Sequence, residues 1–171
     1  MKKIKYFSTF SGIGGFELGI ENAAAELGIA TECVGCSEVD KFATSVYQWH
    51  FPNTKNYGDI TKINAQELPD FDLLVGGFPC QDVSILDKRA GLAGERTGLF
   101  YELAKILGIK QPRYFVFENV KGLLSSDKGE DFRKILQVLD GLGYDVQWGV
   151  LDAQYFRSPQ HRERVIIVAS F

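Results

Sequence analysis

The chain has 171 residues, 45% of them hydrophobic and 24% charged, which suits one globular domain with a real core and excludes a disordered or fibrous class. No apolar run approaches the ~18 residues of a membrane span, and the basic start "MKKIKYFSTF" passes into Ser11-Gly12 without a cleavage-like site, so it reads as a first strand with a charged lead-in. A net charge of −3 lacks the basic excess usual in a protein that grips nucleic acid unaided.

Strand-like and helix-like segments alternate along the chain. Ile4 to Phe10 predicts a strand, "SGIGG" a turn, and Phe16 to Leu27 a helix with Phe16, Ile20, Ala23, Ala24 and Leu27 on one face. "TECVGCSE" predicts a second strand. Its Cys33 and Cys36 spell C-x-x-C, yet a zinc site needs further ligands and the only histidines, His50 and His161, lie far apart in sequence. A redox pair normally opens a helix, so two small residues in a buried strand is the simpler reading, and no metal is expected. With Cys80 the cysteines number three, too few for a disulfide framework and suited to a reducing, cytoplasmic compartment.

Lys41 to Phe51 predicts a second helix ended by Pro52, and a short third strand is expected just before Gly58–Ile60. "FDLLVGG" predicts a fourth strand, followed by a polar, glycine-dotted loop from Gln81 to about Thr97. Then come a helix from Gly98 to Leu107, a strand in "YFVFE", and an amphipathic helix in "EDFRKILQVLDGLG" closed by Gly141 and Gly143. "YDVQWGVLD" and "RVIIVASF" flank the loop "AQYFRSPQHRE", and with no helix between them they are expected to be antiparallel neighbours. One domain over 1–171 is expected, of α/β class, with a mainly parallel doubly wound sheet and an antiparallel last strand. Ligands of such folds sit beyond the carboxyl ends of the strands.

Several candidate groups fall at that edge. "FSGIGGF" (Phe10 to Phe16) is a glycine-rich strand-to-helix turn that permits close backbone approach to a ligand. Glu38 follows the second strand, where an acid can accept from ribose hydroxyls, and Asp59 could accept from an adenine amino group. Together they favour an adenosine-containing ligand. Cys80 follows Pro79 just past the fourth strand, where it is either a nucleophile with a lowered pKa or an inert half-buried thiol. The loop after it carries Asp87, Lys88, Arg89, Glu95 and Arg96, as in a flap that closes over a polyanion or a solvated surface loop. Glu118, after "YFVF", is either a proton donor whose pKa is raised by aromatic neighbours or a helix-capping acid. Gln160, Arg162 and Arg164 alternate, so in an extended segment they share a face, as a fork for a carboxylate, carbonyl or phosphate or as a solvated strand lead-in.

In order, "FSGIGGF", "EVD", "GDI", "GGFPCQDVS", "RTGLF", "ENV" and "QHRER" cover nearly the whole chain, and together they resemble the cytosine-C5 DNA methyltransferase family. The resemblance implies a Rossmann-like class I methyltransferase fold that uses S-adenosylmethionine and releases S-adenosylhomocysteine. It implies that Phe10, Gly12 and Gly14 line the cofactor, that Glu38 holds the ribose, and that Asp59 and Ile60 hold the adenine. Val39 stands where the family often has an aromatic that stacks on adenine, and Pro79 and Leu99 would border the pocket. Cys80 would attack C6 of a flipped-out cytosine in double-stranded DNA, Glu118 would hold and protonate N3, and Arg164, supported by Arg162, would fix the base. Gln81, Ser84, Lys88, Arg96, Asn119 and Gln160 are the further expected substrate contacts.

Family members continue beyond the counterpart of Phe171 into a target-recognition region and a segment that completes the cofactor domain. A second polypeptide or further residues are therefore expected for activity. A bacterial or phage-encoded role in DNA methylation or restriction–modification would follow. The alternatives are a non-catalytic S-adenosylmethionine-binding or assembly subunit, and methylation of transfer RNA. A nicotinamide oxidoreductase would use the first turn and Glu38 but leave Cys80, Glu118 and the arginines idle.

Overall fold

The protein is described by a computed structural model covering residues 3–79 and 98–171. Among these residues six strands form one sheet: β1 (Ile4–Thr9), β2 (Thr31–Ser37), β3 (Leu73–Gly77), β4 (Tyr114–Val120), β5 (Asp145–Asp152) and β6 (Glu163–Ser170). Four α-helices accompany them: α1 (Gly15–Leu27), α2 (Lys41–His50), α3 (Leu99–Lys110) and α4 (Glu130–Gly141).

The strand order is β2-β1-β3-β4-β6-β5. The first four run parallel, and β6 inserts antiparallel between β4 and β5. This is the mixed sheet expected from a chain whose early strands are joined by helices and whose last two are joined only by a loop. The carboxyl ends of all four parallel strands meet at one edge, through the register Thr9↔Ser37, Thr9↔Gly76 and Gly76↔Phe117.

Alternation along β3 and β4 separates two faces. Leu74, Phe115 and Phe117 are fully buried and join Leu103, Leu107, Ile135 and Leu139 of α3 and α4 in the main core. Each such side chain contributes roughly 1.5–3 kcal/mol by leaving water. On the other face, Leu73, Val75 and Val116 line an open groove with Phe16, Ile20 and Ala23 of α1. The apolar face predicted for α1 is thus only partly covered: Ala24 is buried, whereas Leu27 is 71% exposed.

Two expectations need correction. The strand expected before Gly58 is absent from the sheet, and only an isolated bridge joins Cys36 to Asn56. Gly58, at φ 72°, bends the chain away into the short 3-10 turn Ile60–Lys62, which Asp59 caps. The helix predicted to end at Leu107 runs on to Lys110, because the stop comes only where Gln111 turns left-handed ahead of Pro112. The Gly76-Gly77 pair lies in β3, within the strand expected of "FDLLVGG". A side chain at Gly76 would place its Cβ 2.1 Å from Thr9 Oγ1, and Thr9 uses that hydroxyl to bond Val75 O at 2.9 Å.

Candidate active site

The turn between β1 and α1 is unusual in its backbone. Phe10 holds φ 51°, a left-handed conformation rare for a bulky residue, and Gly12 and Gly14 continue at 55° and 98°. Hydrogen bonds fix the turn: Ser11 N–H donates to Ser37 O at 3.2 Å and Gly14 N–H to Ser11 O at 3.0 Å. Gly12 N–H donates to Glu38 Oε2 at 2.7 Å. The other oxygen of Glu38 accepts from Val39 N–H and Asp40 N–H at 2.9 and 2.8 Å.

Glu38 is therefore held at a fixed place beside the turn, and Oε2, which accepts one N–H against two at Oε1, retains lone-pair capacity for a ligand hydroxyl. Asn56 joins this acid to the next candidate segment. Its Oδ1 accepts from Glu38 N–H (3.1 Å) and Gly58 N–H (2.8 Å), while its Nδ2 donates to Glu38 O (3.0 Å). Asp59 follows, its carboxyl kept below the usual range by the Thr61 hydroxyl and N–H and by Lys62. Val39 is 68% exposed and Ile60 is buried. A strained turn, an anchored acid and a second capped acid fit an adenosine-containing cofactor, the ligand for which these residues were singled out.

The second group lies at the end of β4. Glu118 projects from the groove face, and Arg164 of β6 reaches it with Nε 2.6 Å from Oε1. Arg162 comes to 3.7 Å from the same oxygen. In the ladder Glu118 pairs with Ile166 and Val120 with Arg164, so Glu118 and Arg164 are diagonal cross-strand neighbours. Oε2 of Glu118 lies over Gly77, where an added Cβ would sit 2.8 Å from it; glycine there leaves room for the carboxyl. The aromatic residues flanking Glu118 in sequence point into the opposite face, so arginines, not aromatic rings, form its surroundings.

The predicted fork differs in detail. β6 begins at Glu163, so only Arg164 of the three lies in the strand, and Gln160 and Arg162 precede it in the connection. Asp152 shapes that connection. Its Oδ1 accepts from Arg162 N–H at 2.9 Å and Gln154 N–H at 3.2 Å, and its Oδ2 accepts from Gln154 Nε2 at 2.8 Å and pairs with His161 Nδ1. Although burial opposes it, these bonds draw the Asp152 carboxyl below its ordinary range. Gln160 is exposed.

Asn119 is 2% exposed, and its amide donates to Phe78 O at 2.8 Å. It thus holds the segment that leads through the exposed Pro79 to Cys80. Leu99 begins α3. Cys80, Gln81, Ser84, Lys88 and Arg96 lie outside the described residues. Of the remaining cysteines, Cys36 is buried and burial pushes its thiol up to about 11, so it is an unreactive group inside β2.

One residue of each group meets in a common space: a cavity of about 530 Å³ is lined by Phe10 and Ser11 of the turn, by Gly77 and Glu118, and by Phe16, Ile20 and Ala23 of α1, whereas Glu38, Asp59 and the two arginines are not among its lining residues. Asn56 and Asp152 were not singled out from sequence. Their only local signals were an Asn two residues before a glycine and an Asp closing a strand, and both occur throughout proteins.

The profile of the C-5 cytosine-specific DNA methylase family matches residues 4–170. The chain is 47% identical over 166 residues to the type II methyltransferase M.BsuFI of Bacillus subtilis, covering 97% of this chain and 39% of that protein. It is 43% identical over 170 residues to the orphan methyltransferase M.Rho11sI of Bacillus phage rho11s, covering 98% and 33%. The chain thus spans well under half the length of these relatives. Among solved structures, a DNMT2 mutant from Spodoptera frugiperda superposes with a TM-score of 0.75 at 26% identity, covering 98% of this chain and 50% of that one. A prophage-encoded putative DNA modification methyltransferase (E. coli) gives 0.77 at 23% identity, a likeness of fold, covering 98% and 46%. With a Rossmann-like sheet and a family match over all but its outermost residues, this chain belongs to the C-5 cytosine-specific DNA methylase family.

Proposed function

We propose that the chain is the cofactor-binding and catalytic part of an enzyme that methylates C5 of cytosine in double-stranded DNA. One observation carries this reading: Phe10 of the strained turn and Glu118, which Arg164 holds by its Oε1, line the same cavity. A donor bound at the first would face a base held at the second.

Phe10, Gly12, Gly14, Glu38, Val39, Asp59 and Ile60 would hold S-adenosylmethionine, with Pro79 and Leu99 at the border. Bound there, it would supply a methyl group on a sulfonium sulfur and leave as S-adenosylhomocysteine. The Cys80 thiolate would add to C6 of a cytosine swung out of the duplex, and Glu118 would deliver a proton to N3 as the ring's electrons shift. C5 then carries enamine character and can take the methyl group. Water or another base would then take the C5 proton, Cys80 would leave as the thiolate, and N3 would return its proton to Glu118, which restores the aromatic ring.

Arg164, bonded to Oε1 of Glu118, would orient the carboxyl so that Oε2 faces the base. Arg162 would hold the same group more loosely. Gln81, Ser84, Lys88, Arg96, Asn119 and Gln160 would position the nucleotide or the segments around it. Residues present in the longer relatives, on this or a second polypeptide, would supply sequence recognition. No helix among the described residues is long and apolar enough to cross a membrane, and we place the enzyme in the cytoplasm of a bacterium or phage-infected cell.

Labelled methyl transfer to duplex DNA, with the modified base identified by mass spectrometry, tests this function. With the recognition region supplied, 5-methylcytosine is expected. The chain alone is expected to bind S-adenosylmethionine in calorimetry and to transfer little or nothing. Binding without transfer in the assembled protein would instead mean a non-catalytic cofactor-binding subunit.

A further inference from the structure

Beneath the β1–α1 turn lies a polar cluster that the proposed chemistry does not use. Glu17, in the first turn of α1, is fully buried. Its Oε1 accepts from the hydroxyl of Tyr47, 2.8 Å away on α2. Its Oε2 has no hydrogen-bond partner, and neither has the hydroxyl of Ser8 or of Ser11. The groups that bear on this carboxyl are Tyr47 from α2, Cys33 and Cys36 from β2, Tyr6 and Ser8 from β1 and Glu21 from α1. None of these is a cation. Burial raises the Glu17 pKa, although the Ser8 and Tyr47 hydroxyls oppose the shift.

A buried, half-satisfied carboxyl is costly where a leucine could pack, so its placement calls for a reason. The reason is visible in what Tyr47 touches. Its ring packs on Phe51 with centroids 5.0 Å apart, and the Phe51 ring fills the space over Gly14, where an added Cβ would lie 2.4 Å from it. Gly14 caps α1 three residues before Glu17. A closed ring of contacts therefore runs Glu17, Tyr47, Phe51, Gly14 and back through the first turn of α1.

We propose that Glu17 and Tyr47 are positioning residues that hold the β1–α1 turn in its ligand-ready conformation, by fixing Phe51 against Gly14. Neither touches the ligand. The claim rests on the cofactor reading of the turn only for its binding readout.

Amide hydrogen exchange on the ligand-free chain tests it first. Tyr47→Phe removes a single oxygen, and it should speed exchange at Gly12 and Gly14 about tenfold while leaving Leu74 and Phe117 unchanged. Glu17→Leu should do the same. Glu17→Gln, which keeps an oxygen to accept from Tyr47, should stay within about twofold of the parent. Calorimetry with S-adenosylhomocysteine, which lacks the sulfonium charge, should show binding about tenfold weaker for Tyr47→Phe and near parental for Glu17→Gln.

Unchanged exchange at the turn in Tyr47→Phe overturns the proposal, as does faster exchange spread equally over the sheet core. Should Glu17→Leu fail to fold, Tyr47→Phe and Glu17→Gln carry the decision. If the parent chain binds no S-adenosylhomocysteine while exchange behaves as expected, the cofactor reading fails and the positioning role stands.

Discussion

The two halves of the candidate site are built by different means. On the β1–β2 side, main-chain N–H groups do the holding: Gly12, Val39 and Asp40 all donate to Glu38, and Asn56 ties that acid's backbone to Gly58. On the β4–β6 side, long side chains meet through charge, with Glu118, Arg164 and Arg162 showing side-chain exposures of 28, 22 and 48%. Backbone-anchored groups lose little freedom on binding a ligand, whereas a solvated ion pair can rearrange around an incoming base. The first half is suited to one invariant ligand and the second to a group that must enter, react and leave.

Breaking each half should therefore give separable defects. The largest effect is expected from Glu118→Gln, which cannot deliver a proton in the same way: turnover of the assembled enzyme should fall ~10²–10⁴-fold, with S-adenosylmethionine affinity unchanged by calorimetry. Glu38→Ala removes the acceptor of three N–H groups and the carboxyl expected to bond the ligand, and cofactor affinity should fall by roughly 10- to 150-fold, the about 1.5–3 kcal/mol of a bond to a charged group. If Glu38→Ala slowed turnover at saturating cofactor as much as Glu118→Gln does, the two halves would not be separable. Gly14→Ala should cost about 2 kcal/mol or more in urea unfolding, because it puts a Cβ into the Phe51 ring at a left-handed φ.

Arg162→Ala should be milder than Arg164→Ala. Its contact with Glu118 is 3.7 Å against 2.6 Å, and its side chain is half exposed. A loss of about two- to fivefold in turnover is expected, corresponding to the ~0.2–1 kcal/mol of an exposed pair.

The smallest effect concerns acid. The Asp152 carboxyl is depressed in the folded chain, so it adds stability above its ordinary pKa, and that stability is lost as pH falls through the lower folded value. Urea titrations should show Asp152→Asn differing from the parent at neutral pH and converging with it in strong acid.

Much of this arrangement was legible because strand ends announce themselves. Gly12, Gly14 and Glu38 each follow a strand and Glu118 follows the apolar run of β4, and topology alone brings such positions to one edge. The antiparallel finish followed from the missing helix between the last two strands. What was hidden depends on contacts between residues distant in sequence. Nothing local in "GFELG" shows that Glu17 meets a tyrosine 30 residues on, and nothing in "KNYGDI" shows that Asn56 replaces a strand's ladder with its side chain. The β-rich look of that segment gave way to the left-handed φ of Gly58.

The covalent step is the centre of the proposed chemistry, and trapping tests it most directly. The assembled enzyme would be incubated with S-adenosylmethionine and duplex DNA carrying 5-fluorocytosine at the target, then resolved on a denaturing gel. Fluorine at C5 blocks the proton loss that frees the cysteine, so a stable protein–DNA adduct is expected for the parent and none for Cys80→Ala. An adduct that persists in Cys80→Ala, or methyl transfer retained by that variant, would contradict the cysteine route.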